Sequence, residues 1–124
     1  MEAQYAHLKE EIDAGIASVI KGCHFISGPQ VGELEQALCA YTGRKYCVTV
    51  SSGTDALLMP LMAWDIHEGD AVFVPGFTFF ATAEVVSLTG ATPVFCDINP
   101  HTFNLDPDSL KAVSYTHLPY WQIR

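Results

Sequence analysis

The stretch from Lys45 to Leu58 constrains the fold more than any other part of the chain. A β-branched, apolar segment over 45–50 runs directly into the sequence SSGTD at 51–55 and then into an apolar run at helical spacing. Glycine lets a backbone approach an anion closely, and the first amides of a helix have no partner within that helix. The pattern therefore predicts a strand, a phosphate-binding turn and a helix, in that order.

The same turn also suits a simpler structural role. Ser, Thr and Asp commonly cap helices, so Ser52 or Thr54 could cap this helix without binding any ligand. Attraction between an anion and a helix N terminus is worth about 0.3–1 kcal/mol at an exposed site and up to about 2 kcal/mol when partly buried. Amides and hydroxyls would therefore have to share the binding of a phosphate, and the surrounding chain has to decide between the two interpretations.

Composition indicates one small domain with more apolar surface than it can cover alone. A chain of 124 residues can bury roughly two thirds of the surface that its unfolded form exposes. Its hydrophobic fraction of 49% beside 16% charged residues is high for a free-standing domain. We therefore expect a dimer, or a truncated chain whose apolar surface contacts missing sequence.

Charge and cysteine usage exclude several classes of function. A net charge of −8 with only six Lys and Arg residues argues against binding to nucleic acid. The four cysteines form no CxxC pair and no His/Cys ligand spacing, which favours reduced thiols over disulfides or a metal site. The N terminus is acidic and periodic, and no apolar run approaches 18 residues. The sequence thus predicts a cytoplasmic protein without a membrane partner.

Periodicity predicts a helical arm followed by alternating strands and helices. The arm spans 1–43 and contains two helices. After it we expect helices over Gly53 to about Trp64, kinked at Pro60, and over 78–88, with strands over 45–50, 71–74 and 92–96.

These alternating elements predict an α/β fold with a βαβαβ unit over 44–98. Such a unit implies parallel strands, right-handed crossovers and ligands at the carboxyl ends of the strands. A further helix opens over 108–113, and Pro119 would interrupt it. We therefore expect an irregular tail over 114–124, whose sequence looks foreign or misread.

Four motifs in order resemble the DegT/DnrJ/EryC1/StrS family of pyridoxal-phosphate-dependent sugar aminotransferases. They are FISGP at 25–29, SSGTDAL at 51–57, PGFTF with the following ATA at 75–83, and GATPVF with Asp97 at 90–97. The resemblance covers about residues 1–113. It implies the N-terminal part of the large domain of a fold-type-I transferase, with a mostly parallel sheet and assembly as a homodimer.

The resemblance also implies a cofactor and the residues that bind it. The cofactor is pyridoxal 5′-phosphate, and its phosphate would be held by Thr54 and by the backbone at Gly53 and Asp55, with Ser52 nearby. This agrees with the phosphate-binding turn that the residues themselves predict.

An aromatic residue completes the implied cofactor site. The resemblance places Phe79 against the pyridine ring, where an aromatic pair is worth about 0.5–1.5 kcal/mol beyond its buried area. Without the resemblance, Phe77, Phe79 and Phe80 would be interpreted as core residues.

The catalytic lysine of the family has no counterpart in this sequence. A family aminotransferase needs a lysine for the Schiff base and an acid for the pyridinium nitrogen, and in the family both follow the position of residue 113. The four lysines match no catalytic position and are interpreted as solvated surface residues: Lys9, Lys21, Lys45 and Lys111. No catalytic residue is therefore assigned, and we expect a chain truncated before the lysine and inactive alone.

Three further polar residues allow both a functional and a structural interpretation. His24 could reach substrate in a dimer or be a surface group, and Asp97 could orient a ligand or cap a turn. Glu84 could be a plain exposed helix residue. By resemblance, however, its motif ATAE is commoner in 3-oxo-sugar aminotransferases, whereas members that aminate C4 more often carry ATAN.

The implied reaction is transfer of an amino group from glutamate to a keto nucleotide-sugar. A UDP-linked 3-oxo amino-sugar acid is the favoured acceptor, in cell-surface polysaccharide or amino-sugar biosynthesis. The alternatives are a non-catalytic regulatory relative that binds the same cofactor, and an inert fragment. A Rossmann dinucleotide binder would need G-x-G-x-x-G after the first strand, where this chain supplies one glycine.

Overall fold

A computed structural model of the chain describes residues 1–117 as an α/β protein made of two compact units. The first unit is 1–49, and the second begins at Val50. Among these residues no helix is long and apolar enough to cross a membrane. The elements are α1 (Glu2–Gly22), α2 (Pro29–Thr42), α3 (Gly53–Ala63), β1 (Ala71–Pro75), α4 (Ala81–Leu88), β2 (Thr92–Cys96) and α5 (Pro107–His117).

The first unit contains the two predicted helices. Every residue of α1 and α2 is exposed or half-buried. Helix α2 starts at Pro29, which suits the first turn because proline lacks the N–H that would have no partner there. It ends at Thr42, and the next residue, Gly43, has a φ of 69°, in the left-handed conformation that glycine adopts readily.

The strand predicted over 45–50 is not a strand in the structure. A strand needs a neighbour for its backbone hydrogen bonds, and within residues 1–117 no strand pairs with this segment. The Glu35 carboxylate of α2 instead accepts the backbone N–H of Thr49 at 2.8 Å and its hydroxyl at 2.9 Å. These two bonds lower the pKa of Glu35, the backbone N–H being the larger cause. The expected βαβαβ unit is thus a βαβ unit preceded by a helix.

Parallel pairing of the remaining two strands confirms the predicted sheet type. The register runs from Ala71 opposite Thr92 to Pro75 opposite Cys96, and it places Pro93 opposite Val72. Hydrogen bonds extend past both ends of β1, because Thr92 donates its N–H to the Asp70 carbonyl at 2.9 Å and the Gly76 N–H bonds the Cys96 carbonyl at 2.8 Å.

The core of the second unit lies where α3, β1 and α4 meet. Its buried residues are Val74, Val85, Val86 and Ala91, and Leu58 and Leu61 of α3 are among the half-buried side chains that pack against them. Because α3 and α4 pack against one another, the turns that open these two helices belong to the same folded unit.

Helix α4 starts three residues later than predicted. The Thr78 and Thr82 hydroxyls are 3.0 Å apart, and the Phe79 carbonyl accepts the Thr82 N–H at 3.0 Å. Phe80 therefore precedes the first helical residue, Ala81, and the segment after β1 is a bend rather than helix.

Helix α5 runs farther than the irregular tail predicted over 114–124 allows. The helix continues to His117, while 118–124 lies outside the described residues. Proline has no N–H to donate to a helical hydrogen bond and disfavours helix at the residue before it, so Pro119 is compatible with a helix that continues through residue 117. Asp106 caps the start, since its carboxylate accepts the Asp108 N–H at 3.0 Å.

Truncation of the most buried valine should destabilise the second unit. Val86 is 1% exposed, so Val86→Ala removes two methyl groups from a packed site and should lower the free energy of unfolding by about 2 kcal/mol. Leu88→Ala on the same helix is the control, because Leu88 is 63% exposed. Its effect should stay below about 0.5 kcal/mol. Urea unfolding followed by circular dichroism measures both, and equal losses would contradict this core.

Candidate cofactor-phosphate site at the start of helix α3

Ser52 is the N-cap of α3. Its backbone is extended, with φ −156° and ψ 167°, and its hydroxyl oxygen accepts the Asp55 N–H at 3.1 Å. Its carbonyl accepts the Ala56 N–H at 3.1 Å, which is the first helical hydrogen bond. The capping interpretation of this turn is therefore confirmed for Ser52.

Two backbone amides and one hydroxyl remain available at the turn. Within residues 1–117, the N–H groups of Gly53 and Thr54 and the Thr54 hydroxyl have no hydrogen-bond partner. A Cβ atom built on Gly53 would meet no other heavy atom within 4 Å, so the space beside that residue is open. Amides at a helix N terminus attract anions, and this donor set therefore suits a phosphate.

The Asp55 side chain organises the same turn. Its carboxylate accepts hydrogen bonds from the hydroxyls of Ser51 and, at 3.0 Å, Ser52. These donors, Ser51 first, hold the pKa of Asp55 below its ordinary value. A hydroxyl has one proton, so the proton of Ser52 is already committed to the carboxylate.

This network alters the expected roles of two residues in the turn. The backbone N–H of Asp55, which the resemblance assigns to the phosphate, donates to Ser52 in the structure. The Ser51 hydroxyl was not singled out by the sequence patterns. Its only signal is its place four residues before an acid that opens a helix.

Phe79 lies in the bend between β1 and α4. Its side chain is 78% exposed, and Phe77 and Phe80 are also exposed, so the interpretation of these three residues as core is wrong for the structure. The Phe77 ring contacts Phe103, with ring centroids 5.9 Å apart. The exposed face of Phe79 leaves it available to a planar ligand, and its bend opens the helix that packs against α3.

The other candidate polar residues differ in exposure and in local contacts. The Asp97 carboxylate accepts the N–H of the next residue, Ile98, at 2.8 Å, and the Asp97 N–H donates to the Ser109 hydroxyl at 2.8 Å, so its turn-capping role stays a prediction. His24 is an exposed loop residue of the first unit, and Glu84 is half-buried in the first turn of α4.

Two of the lysines are paired with acids on their own helices. Lys9 pairs with Asp13, which together with Tyr5 raises the pKa of the lysine. Lys111 lies 3.2 Å from an Asp108 carboxylate oxygen. Both lysine side chains are exposed, in agreement with their interpretation as surface residues.

The Ser51 hydroxyl should set the acidity of Asp55. Replacement of Ser51 by Ala removes the larger of two donors, so the pKa of Asp55 should rise toward the ordinary aspartate value. Because the pKa of the folded form is depressed, the stabilisation from this carboxylate is present above its unfolded pKa and is lost as pH falls through the folded one. A carboxyl-detected NMR titration measures the shift.

The matched control for this titration is Ser87→Ala. The Ser87 hydroxyl donates to the Ala83 carbonyl on α4 and does not touch Asp55. A pKa of Asp55 that is the same in both variants would show that Ser51 is not its donor in solution.

Solved structures share this fold. The crystal structure of a DegT/DnrJ/EryC1/StrS aminotransferase from Brucella abortus matches with a TM-score of 0.88 and 44% sequence identity, over 92% of this chain and 31% of that chain. NtdA of Bacillus subtilis, with its cofactor PMP bound, matches with a TM-score of 0.79 and 37% identity over 83% of this chain and 24% of its own. The expected fold class, that of fold-type-I pyridoxal-phosphate-dependent aminotransferases, is confirmed.

Sequence comparison leads to the same family. The UDP-2-acetamido-2-deoxy-3-oxo-D-glucuronate aminotransferase of Pseudomonas aeruginosa is 49% identical over 112 residues, which cover 90% of this chain and 31% of that enzyme. The chain thus spans about a third of the length of that relative. The model of the DegT/DnrJ/EryC1/StrS aminotransferase family matches residues 6–114, and the chain belongs to this family.

Proposed function

We propose that this chain forms the cofactor-phosphate-binding part of a pyridoxal-phosphate-dependent sugar aminotransferase. The observation that carries the proposal is the pair of amides at Gly53 and Thr54, which have no hydrogen-bond partner within residues 1–117 and lie beside open space at the start of α3. Membership of a family whose enzymes use pyridoxal phosphate supports the identity of the anion. In this proposal residues 1–113 are the N-terminal part of the large domain.

Each residue of the turn has a distinct part in holding the cofactor. Gly53 and Thr54 donate their N–H groups to the phosphate, and the Thr54 hydroxyl adds a third donor. Ser52 and Asp55 act indirectly, because their mutual hydrogen bonds fix the conformation of the turn. Phe79 lies against the pyridine ring, with an exposed aromatic face that suits a planar heterocycle.

The division of labour in the reaction follows from these roles. Bound pyridoxal phosphate supplies an electron-withdrawing ring and carries the amino group from donor to acceptor. Residues of this chain anchor and orient that ring, whereas the proton transfers require the family lysine, which the four lysines here do not match. The proposal therefore gives this chain a binding function within a larger enzyme.

The favoured acceptor is a UDP-linked 3-oxo amino-sugar acid, with glutamate as the amino donor. The relative from Pseudomonas aeruginosa acts on a UDP-linked 3-oxo sugar acid at 49% identity, which supports this choice. The acidic Glu84 in the motif ATAE agrees with it. We further propose a cytoplasmic homodimer that serves polysaccharide or amino-sugar biosynthesis.

Binding of pyridoxamine 5′-phosphate to the 124-residue chain tests the phosphate site. This form of the cofactor lacks the aldehyde that reacts with surface lysines, so any binding is non-covalent. It should shift the NMR signals of the Gly53 and Thr54 amides, and Thr54→Val should weaken binding severalfold because a donor to a charged group is lost. As a separate single variant, Phe79→Leu should also weaken pyridoxamine 5′-phosphate binding, because the contact between the two rings is lost.

Two controls separate this site from general affinity for the cofactor. Thr92→Val changes an exposed threonine on β2 and should leave binding unchanged. Pyridoxamine without its phosphate should not shift the Gly53 and Thr54 signals. Equal binding of both ligands would refute the phosphate site, while a folded chain that binds neither would support the inert-fragment alternative.

The enzymatic proposal is tested on the protein expressed from its complete gene. Glutamate and the UDP-linked 3-oxo sugar acid should yield 2-oxoglutarate and the amino sugar, detected by mass spectrometry. The reaction should stop when the family lysine is replaced by alanine. A protein that holds the cofactor yet aminates neither this sugar nor other keto nucleotide-sugars would instead be the regulatory relative.

A further inference from the structure

The Asp55 carboxylate lies at the same helix end as the donors that the proposed function assigns to the cofactor phosphate. It belongs to the first turn of α3 and accepts the hydroxyl protons of Ser51 and Ser52. Both Asp55 and Thr54 are half-buried, whereas Gly53 is exposed. A negative charge is therefore built into the turn before any ligand arrives.

This carboxylate removes donors that an anion would otherwise use. The Ser52 hydroxyl points its proton at Asp55 and accepts the Asp55 N–H, so neither that hydroxyl nor the third amide of the helix is free. The Ser51 hydroxyl is committed in the same way. Of the first three amides of α3, two have no partner in the part of the chain that the structure describes, at Gly53 and Thr54.

The negative charge of Asp55 also interacts favourably with the positive potential at the N terminus of α3. A helix N terminus carries the equivalent of roughly half a positive charge, which falls off within the first turn. An acid in that turn already interacts with it, and a phosphate that binds next gains less and is repelled by the carboxylate.

We infer that the Asp55 carboxylate competes with the cofactor phosphate for the donors and the potential of the α3 turn. Asp55 thereby lowers the affinity of this turn for phosphate, by a factor that increases with the charge of the phosphate. This inference rests on the proposed function. Asp55 is thus a positioning residue: it fixes the turn through Ser51 and Ser52 and limits how tightly the turn holds an anion.

The competition predicts an effect that scales with ligand charge. Repulsion between a carboxylate and a phosphate monoanion about 6 Å apart in water weakens phosphate binding roughly threefold at low ionic strength. For a phosphate dianion the repulsion energy doubles, so binding weakens roughly tenfold. A purely structural role for Asp55 would change the affinity for both charge states by the same factor.

The test compares Asp55→Asn with the unmodified 124-residue chain, with inorganic phosphate as the probe. Asparagine keeps a side-chain oxygen that can accept the serine hydroxyls but removes the charge. Affinities come from phosphate-dependent NMR shifts of the Gly53 and Thr54 amides at low salt, at about pH 8 for the dianion and about pH 5 for the monoanion.

Asp108→Asn is the matched control, because Asp108 is an exposed acid in the first turn of α5 and its removal changes net charge equally. Asp55→Asn should bind phosphate about tenfold tighter at pH 8 and about threefold tighter at pH 5, whereas Asp108→Asn should match the unmodified chain. An Asp55→Asn effect that is equal at both pH values, or absent, would overturn the inference and leave the phosphate site intact.

Ser52→Ala gives a second measurement that does not depend on how Asp55→Asn folds. Loss of the Ser52 hydroxyl frees the Asp55 N–H, so phosphate should now shift that amide signal, which it leaves unmoved in the unmodified chain. A shift of the Asp55 amide in the unmodified chain would contradict the competition. Failure of phosphate to shift Gly53 and Thr54 in any variant would overturn the proposed function together with this inference.

Discussion

The unpaired amides that open α3 are the constraint on which the site depends. Every helix begins with N–H groups that its own carbonyls cannot reach, and each must find another acceptor. Among the described residues, Ser52 accepts one of these N–H groups, and those of Gly53 and Thr54 have no acceptor. Capping and anion binding, which compete as interpretations of the sequence, are therefore complementary in the structure, because one serine cannot cap all the amides.

Much of the second unit could be predicted because its signals are local. Short apolar runs bounded by glycine and proline marked β1 and β2, and their parallel pairing followed from the helix between them. The segment 45–50 has an equally good strand sequence, but pairing depends on a distant partner that its own residues do not encode. Glu35, which bonds Thr49, carries no sequence signal for that contact.

The sequence predicts which residues form the site. It does not predict which hydrogen bonds they make. Glycine and threonine after a predicted strand indicate a phosphate-binding turn, and within residues 1–117 the amides of Gly53 and Thr54 have no partner. The orientation of the Asp55 side chain depends on rotamers and on two neighbouring hydroxyls, which periodicity does not report. The aromatic residues near Phe79 show the opposite error, since hydrophobicity alone suggested burial.

Pro93 limits the side of the sheet on which a further strand can pair. The Thr92 N–H and the Cys96 carbonyl both face β1, and because successive residues of a strand alternate sides, Pro93 faces the opposite edge of β2. Proline has no N–H to offer an incoming strand, so this edge resists templated association with another chain. The sheet can therefore be extended on the β1 side, while β2 is suited to be its permanent border.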